Sequence, residues 1–292
     1  MAFNLLCQHA FRPTIMKQGR VSQTALKVAH NLVALSAKDD WQQRLPEDLS
    51  EMSERLLVAS EQPGMGPRMM RVSKGPWMVR AYKLQELLMP GQFEGFGYRK
   101  IYVQQKVEAA IKDGAEQVLF TGAGFDTLCL RLAPLYPSIQ FIELDHPATS
   151  AAKAKGIALE GQPANMLQIA ADLGETSLSK TLLKNRHWSP SLRSVIVAEG
   201  LFQYLTDQEV RELLIEAAAC TSLGSRFIFT HAKPGYSKTV TFLTNLVAES
   251  WKSSVESEDL PSYVKDTGWE ITSGVDTDER HGVERYAVAE RI

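Results

Sequence analysis

Apolar residues along this chain follow two different periods. From residue 22 they recur at spacings of three and four, with Ala25, Leu26, Ala29, Leu32, Val33 and Leu35 on one stripe. That stripe predicts a helix, and Ser22 is placed to cap it. Residues 48–60 carry a second amphipathic stripe. Residues 98–112 carry a third, with Ile101, Val103, Val107, Ala110 and Ile111 inward. The pattern then changes. Residues 118–121 form a short apolar, β-prone run without charge, stopped at Gly122-Ala-Gly124; this predicts a buried parallel strand ending in a tight turn. Helical spacing returns at 127–135, and 139–144 is a second strand. A helix near 148–159, strands at 166–170 and 194–198, and a helix over 207–220 capped by Thr206 or Asp207 continue the alternation. A strand at 225–230 ending at His231 and a helix over 240–251 follow, and 270–275 and 284–289 close the chain as two successive strands. Alternating β and α units with short links predict an α/β fold, a mostly parallel sheet with helices on both faces. The closing pair adds one antiparallel member.

Two stretches stand outside this alternation. Residues 1–20 are mixed, broken by Pro13 and Gly19, and read as an arm. From 60 to 97 the punctuation thickens with Pro63, Gly64, Gly66, Pro67, Gly75, Pro76, Pro90, Gly91, Gly95 and Gly97, interleaved with Arg68, Arg71, Lys74, Arg80 and Lys83. An irregular region of that length in a compact chain reads as a lid or binding loop, its basic residues facing either an anionic substrate or solvent. The organisation expected is a helical arm and lid over 1–97 and the α/β domain over 98–292, packed as one unit.

Composition narrows the function classes. With 292 residues, 44% hydrophobic and 23% charged, the chain has ample material for a core. A net charge of −2 gives no general case for nucleic acid or an anionic membrane as partner. No uncharged apolar run approaches the roughly 18 residues of a membrane span, and no secretory leader is visible, so a cytoplasmic location is expected. Cys7, Cys129 and Cys220 are odd in number and lack metal-ligand spacing; no metal site is expected, and Cys129 and Cys220 read as small buried side chains.

In an open α/β sheet ligands bind outside the carboxyl ends of the strands. Those ends carry Gly122, Ala123 and Gly124, then Glu143 and Asp145, then Asp172 and Leu173, then Glu199, then His231. Glycines let a ligand lie against the backbone, and the following helix presents unpaired N–H groups. An acid about 20 residues later can accept hydrogen bonds from ribose hydroxyls. Glu143 and Asp145 are both placed for this, and Asp145 is preferred. Thr127 stands where a dinucleotide fingerprint has its third glycine, which disfavours NAD. Capping explains each acid individually, Asp172 most readily, but packing does not explain four successive strand ends of glycine or acid.

These same residues carry a resemblance. Gly122-Ala-Gly-Phe-Asp-Thr127 with Leu130-Arg-Leu132, Phe141-Ile-Glu-Leu-Asp-His-Pro147, Ala171-Asp-Leu173 and Ala198-Glu-Gly-Leu-Phe-Gln-Tyr-Leu205 resemble the leucine carboxyl methyltransferase family, and Ser22-Gln-Thr-Ala-Leu26 resembles its N-terminal segment. The resemblance implies a Rossmann-like class I methyltransferase with a seven-stranded sheet and S-adenosyl-L-methionine as cofactor. It implies Gly122, Ala123 and Gly124 bordering the cofactor, Asp145 at the ribose, His146 beside it, Asp172 and Leu173 at the adenine, Glu199 beside the methionine portion and Arg99 near its carboxylate. Leu128 departs from the arginine many bacterial members carry there, while Arg131 is retained.

The expected reaction is methyl transfer to a carboxylate or hydroxyl oxygen of a small molecule, with alignment in a dry site doing most of the catalysis. A carboxylate needs no base. A hydroxyl benefits from one, and His231 is the candidate, with a structural role as the alternative; Tyr204 and Gln203 lie close enough to line the substrate side. His146 also reads as structural. An oxidoreductase, a protein carboxyl methyltransferase and an inactive methyltransferase-like interaction protein are the alternatives.

Overall fold

The computed structural model describes residues 19–85, 91–234, 251–272 and 284–292. Seven strands form one sheet: β1 (Gln117–Thr121), β2 (Gln140–Asp145), β3 (Met166–Ala170), β4 (Ser194–Ala198), β5 (Arg226–Ala232), β6 (Trp269–Ile271) and β7 (Glu284–Arg291). Their order is β3-β2-β1-β4-β5-β7-β6. The first five are parallel, and β7 inserts antiparallel to both β5 and β6. From β1 the sheet grows to one side through β2 and to the other through β4, so a crevice opens where the direction reverses.

Period-two alternation along the strands divides two cores. Val118 and Phe120 of β1, Phe141 of β2, and Val195 and Val197 of β4 share one face with Val103 and Val107 of α5 (Gln92–Lys112). Leu119, Ile142, Ile196 and Ala198 face the other way, onto Leu182 of α8 (Leu178–Leu183) and Val210 and Leu214 of α9 (Asp207–Ala219). Each such burial contributes roughly 1.5–3 kcal/mol, which pins the strand register. Thr206 closes a capping box with Glu209 at the start of α9.

The N-terminal helices pack on the first face. Ser22 caps α1 (Gln23–Leu35), its Oγ accepting from Ala25 N at 3.1 Å. Leu26, Ala29 and Val33 enter the sheet core, while Leu32 and Leu35 join Trp41, Leu45, Leu49 and Phe93 in a satellite core. The second stripe is α2 (Leu49–Ala59).

Two expectations are corrected. The region 60–97 is not irregular: it holds α3 (Pro67–Ser73), α4 (Pro76–Gln85) and the start of α5. Pro67 and Pro76 stand at first helical positions, and Gly91, with φ 75°, precedes α5; much of the punctuation marks helix starts. The division at 97/98 therefore falls inside α5. Gly97 is in mid-helix because a Cβ there would lie 2.3 Å from the Trp41 ring. The other correction is at β5, which runs through His231 to Ala232. Helix α6 (Leu128–Leu132) is shorter than its pattern, and α8 has too few residues to show a period. The 240–251 helix lies almost wholly outside the described residues, as do the strand positions 273–275. Two further helices, α7 (Pro147–Glu160) and α10 (Leu260–Tyr263), complete the described elements that matter here. Among the described residues no helix is long and apolar enough to cross a membrane.

Candidate active site

One cavity opens at the carboxyl ends of β1, β2 and β4. Its floor is the glycine turn. Gly122 (φ 64°) donates its N–H to Leu144 O at 2.8 Å, and Gly124 (φ 48°) donates to Asp145 Oδ2 at 2.5 Å. A Cβ on Gly124 would lie 2.8 Å from the Ala25 Cβ, so α1 rests directly on the turn. Ser22 N donates to Thr149 Oγ1 at 3.1 Å, which ties the start of α1 to α7.

Asp145 lines this cavity. Its Oδ1 also accepts His146 N at 2.6 Å, and burial lifts its carboxyl above the usual range against the pull of the Gly124 and His146 donors. Glu143, two residues earlier, turns away to Lys153 on α7 at 2.6 Å, with both side chains almost fully buried. Of the two acids, Asp145 lines the cavity and Glu143 does not. His146 lines the wall but is also the α7 cap, its Nδ1 accepting from Ala148 N at 3.3 Å. Asp172 closes a turn with Gly174 N at 2.8 Å, leaving Oδ2 3.7 Å from His146 Nε2, and Leu173 lies beside it on the wall.

Opposite this cradle lies a buried charge network. Arg99 Nε stands 2.7 Å from Glu199 Oε1, and Arg99 also pairs with Glu284 of β7. Lys100 bridges Asp126 and Glu199. Two cations and three carboxylates give this network a formal charge of −1, and Asp145 and Asp172 add two further carboxylates to the lining. Burial alone would lower the Arg99 pKa, but Glu284 and Glu199 more than reverse that, and Arg99 stays charged. Burial likewise works to raise Asp126, and Lys100 and Lys153 overcome it, holding the carboxyl below its usual range. Glu199 Oε2 and Gln203 Oε1 are buried without a hydrogen-bond partner among the described residues.

The structure brings together Arg99, Gly122, Ala123, Gly124, Asp145, His146, Asp172, Leu173, Glu199 and Tyr204 around this cavity. It does not bring His231. That residue is interior to β5, paired across to Arg285, 2% exposed, with Nδ1 on Val255 O at 3.0 Å. Burial first, with Arg285 adding, lowers its pKa to about 4. The strand does not end where its hydrophobic pattern does, because β7 pairs with it beyond Thr230. Sequence reading missed Ala25, Val28 and Leu32 on α1, Leu49 on α2, and Gln92, Phe96 and Lys100 on α5. The spacing of Gln92, Phe96, Arg99 and Lys100 is one helix face, visible once α5 is extended backward. Glu284 had no local signal.

The sequence model of leucine carboxyl methyltransferase matches residues 25–218, about two-thirds of the chain. The chain belongs to the leucine carboxyl methyltransferase family. Similar proteins include one from Parafrankia sp., provisionally named an S-adenosyl-L-methionine-dependent methyltransferase, 27% identical over 59% of this chain and 56% of that protein. Another, from Mycolicibacterium vanbaalenii and provisionally named likewise, is 32% identical over 47% of this chain and 46% of that one. The chain spans about half the length of the curated relatives it matches. In fold it is similar to the crystal structure of a provisionally named methyltransferase from Thermobifida fusca YX, with a TM-score of 0.59 at 15% identity over 87% of this chain and 97% of that one. In this leucine carboxyl methyltransferase family member the matched span holds the glycine turn and the acids at β2, β3 and β4; Glu284 lies beyond it.

Proposed function

We propose that the protein is an S-adenosyl-L-methionine-dependent O-methyltransferase acting on a hydroxyl or carboxylate of a small molecule. The observation that carries this reading is that a nucleoside cradle and an apolar extension share one cavity. The extension runs along α5 from Arg99 back past Phe96 to Gln92, roughly 10 Å, and is walled by Val28, Leu32 and Leu49.

The residues present fit the cofactor. The glycine turn offers backbone against which a ligand can lie, Asp145 offers acceptors for hydroxyls, and Glu199 Oε2 is a buried acceptor without a partner among the described residues. The excess of carboxylates over cations in the cavity lining favours a ligand of net positive charge, and S-adenosylmethionine is one. When bound, that cofactor supplies an electrophilic methyl on a sulfonium. The chain's part is to orient: α1 covers the glycine turn and limits water, Asp145 fixes the nucleoside, Asp172 and Leu173 flank the base, and the Arg99 network holds the amino-acid end. Tyr204, on the cavity wall, is the residue proposed to orient the acceptor oxygen.

The test is transfer of label from methyl-tritiated S-adenosylmethionine to matched phenols and aromatic carboxylic acids, with a peptide ending in a free leucine carboxylate alongside. Transfer to a small molecule, lost in Asp145→Ala, supports the reading. Transfer to the peptide alone overturns the small-molecule assignment. Calorimetry showing no binding of S-adenosylmethionine or its demethylated product overturns the whole.

A further inference from the structure

From residue 62 to residue 85 the chain carries Arg68, Arg71, Lys74, Arg80 and Lys83 and no aspartate or glutamate. A net charge of −2 for the whole chain conceals this concentration, and none of these residues lines the cavity. His30 of α1 fixes how the two helices of the segment lie. Its Nδ1 shares a hydrogen bond with the Tyr82 hydroxyl of α4 at 2.9 Å, and its Nε2 shares one with Ser73 Oγ of α3. Met70 and Ser73 are buried on the inner side of α3, while Met78 and Tyr82 of α4 pack against the satellite core, Tyr82 stacked on Phe93 at 4.7 Å between ring centres. The inner faces are thus occupied. On the outer faces Met69 is 40% exposed, Val72 56% and Trp77 76%. Met69 and Val72, three positions apart, share one side of α3. Exposed Arg68 and Arg71 flank them, and the Arg80 guanidinium lies 5.7 Å from the centre of the Trp77 ring. Among the described residues Lys74 is the one cation of this surface that pairs with a carboxylate, Glu54 of α2.

We propose that the α3–α4 hairpin docks the protein on an anionic lipid bilayer. A tryptophan ring settles at headgroup depth, and arginine stems lie along apolar surface while their guanidinium groups reach the phosphates. The negative potential of the bilayer attracts unneutralised basic side chains, and exposed apolar ones gain by leaving water. Both kinds stand together here. A nucleic acid would meet the same arginines and leave Met69 and Val72 in water, so the mixture favours lipid. The contact is shallow, made by side chains on the outside of two short packed helices. Leu32 and Leu49 belong both to the satellite core beneath α4 and to the cavity wall, so the docked face backs onto the apolar end of the cavity.

The test is co-sedimentation of the whole protein with vesicles of phosphatidylcholine alone and of phosphatidylcholine mixed equally with phosphatidylserine. Wild-type protein is expected to sediment with the mixed vesicles at about 0.1 M salt, at least tenfold more strongly than with phosphatidylcholine alone, and to be released as salt approaches about 1 M. Arg71→Gln with Arg80→Gln is expected to weaken the binding by about 25-fold, and Trp77→Ala by about tenfold. Brominated lipid should quench part of the wild-type tryptophan emission and lose that part in Trp77→Phe. Equal sedimentation with the two vesicle types, or none with either, overturns the proposal whatever the variants do. So does vesicle binding that all these variants, shown by thermal melts to be folded, leave unchanged. Binding to a single-stranded oligonucleotide or to polyglutamate without binding to vesicles assigns the surface to a different polyanion and overturns it as well.

Discussion

Replacing Lys153 by Met puts the electrostatics beneath the cavity to a direct test. Lys153 is 1% exposed and lies 2.6 Å from Glu143, itself 2% exposed, with Glu143 Oε1 lacking a partner among the described residues. Its charge also helps hold Asp126 below its usual range and opposes the burial that raises Asp145. Removing one member of a buried pair costs about 3–5 kcal/mol, a large part of a total stability of roughly 5–15 kcal/mol. The cost depends on pH, and its sign follows from Glu143. Burial raises the Glu143 pKa despite Lys153, so the folded state holds its proton more tightly than the unfolded chain does. Ionisation of Glu143 therefore costs stability as pH rises from the ordinary carboxylate range through its folded pKa. Without Lys153 that folded pKa moves higher still. The gap between Lys153→Met and wild type should be widest near pH 7 and narrow towards pH 5. Urea denaturation at both values measures it as a shift in midpoint at constant slope. The double variant Lys153→Met, Glu143→Gln should recover at least half of the loss at pH 7. A gap independent of pH, or a double variant no more stable than Lys153→Met, would refute the reasoning.

Three further outcomes are expected. Gly124→Ala combines a positive φ with a 2.8 Å approach to Ala25, and should weaken S-adenosylhomocysteine more than tenfold in calorimetry as α1 is lifted from the turn. Gly97→Ala drives a methyl into the buried Trp41 ring and should destabilise by about 1–3 kcal/mol in urea, outweighing the roughly 1 kcal/mol that alanine gains in a helix. His231, its pKa lowered to about 4 by burial, stays neutral in the folded state while the unfolded chain protonates near 6.5, so folding weakens as pH falls through that window, by up to about 3 kcal/mol. His231→Gln should flatten that acid limb in thermal melts and leave the pH profile of methyl transfer unchanged; a displaced profile would return His231 to the chemistry.

Much of the strand framework was legible because buried parallel strands are short apolar runs bounded by breakers, and 166–170 and 194–198 match β3 and β4 end for end. The acids and glycines at those ends were legible for the same reason: the strand fixes where the next residue must lie. Legibility failed where tertiary contacts override a local signal. Gly95 and Gly97 read as loop, yet both sit in α5, and at 97 Trp41 occupies the space a side chain would need. His231 read as a strand end, yet pairing with β7 extends β5 past it. Glu284 closes the network around Arg99 from 185 positions away, and no local window contains that information.

The insertion of β7 between β5 and β6 also bears on timing during synthesis. The cavity is sewn from widely separated parts of the chain, α1 covering its floor and β7 supplying the carboxylate that orients Gln203. A nascent chain that has emerged only as far as β5 possesses the glycine turn, Asp145 and Glu199, but neither Glu284 nor the strand that presents it. The full network around Arg99 therefore exists only once β7 has joined, antiparallel, the edge of the five parallel strands.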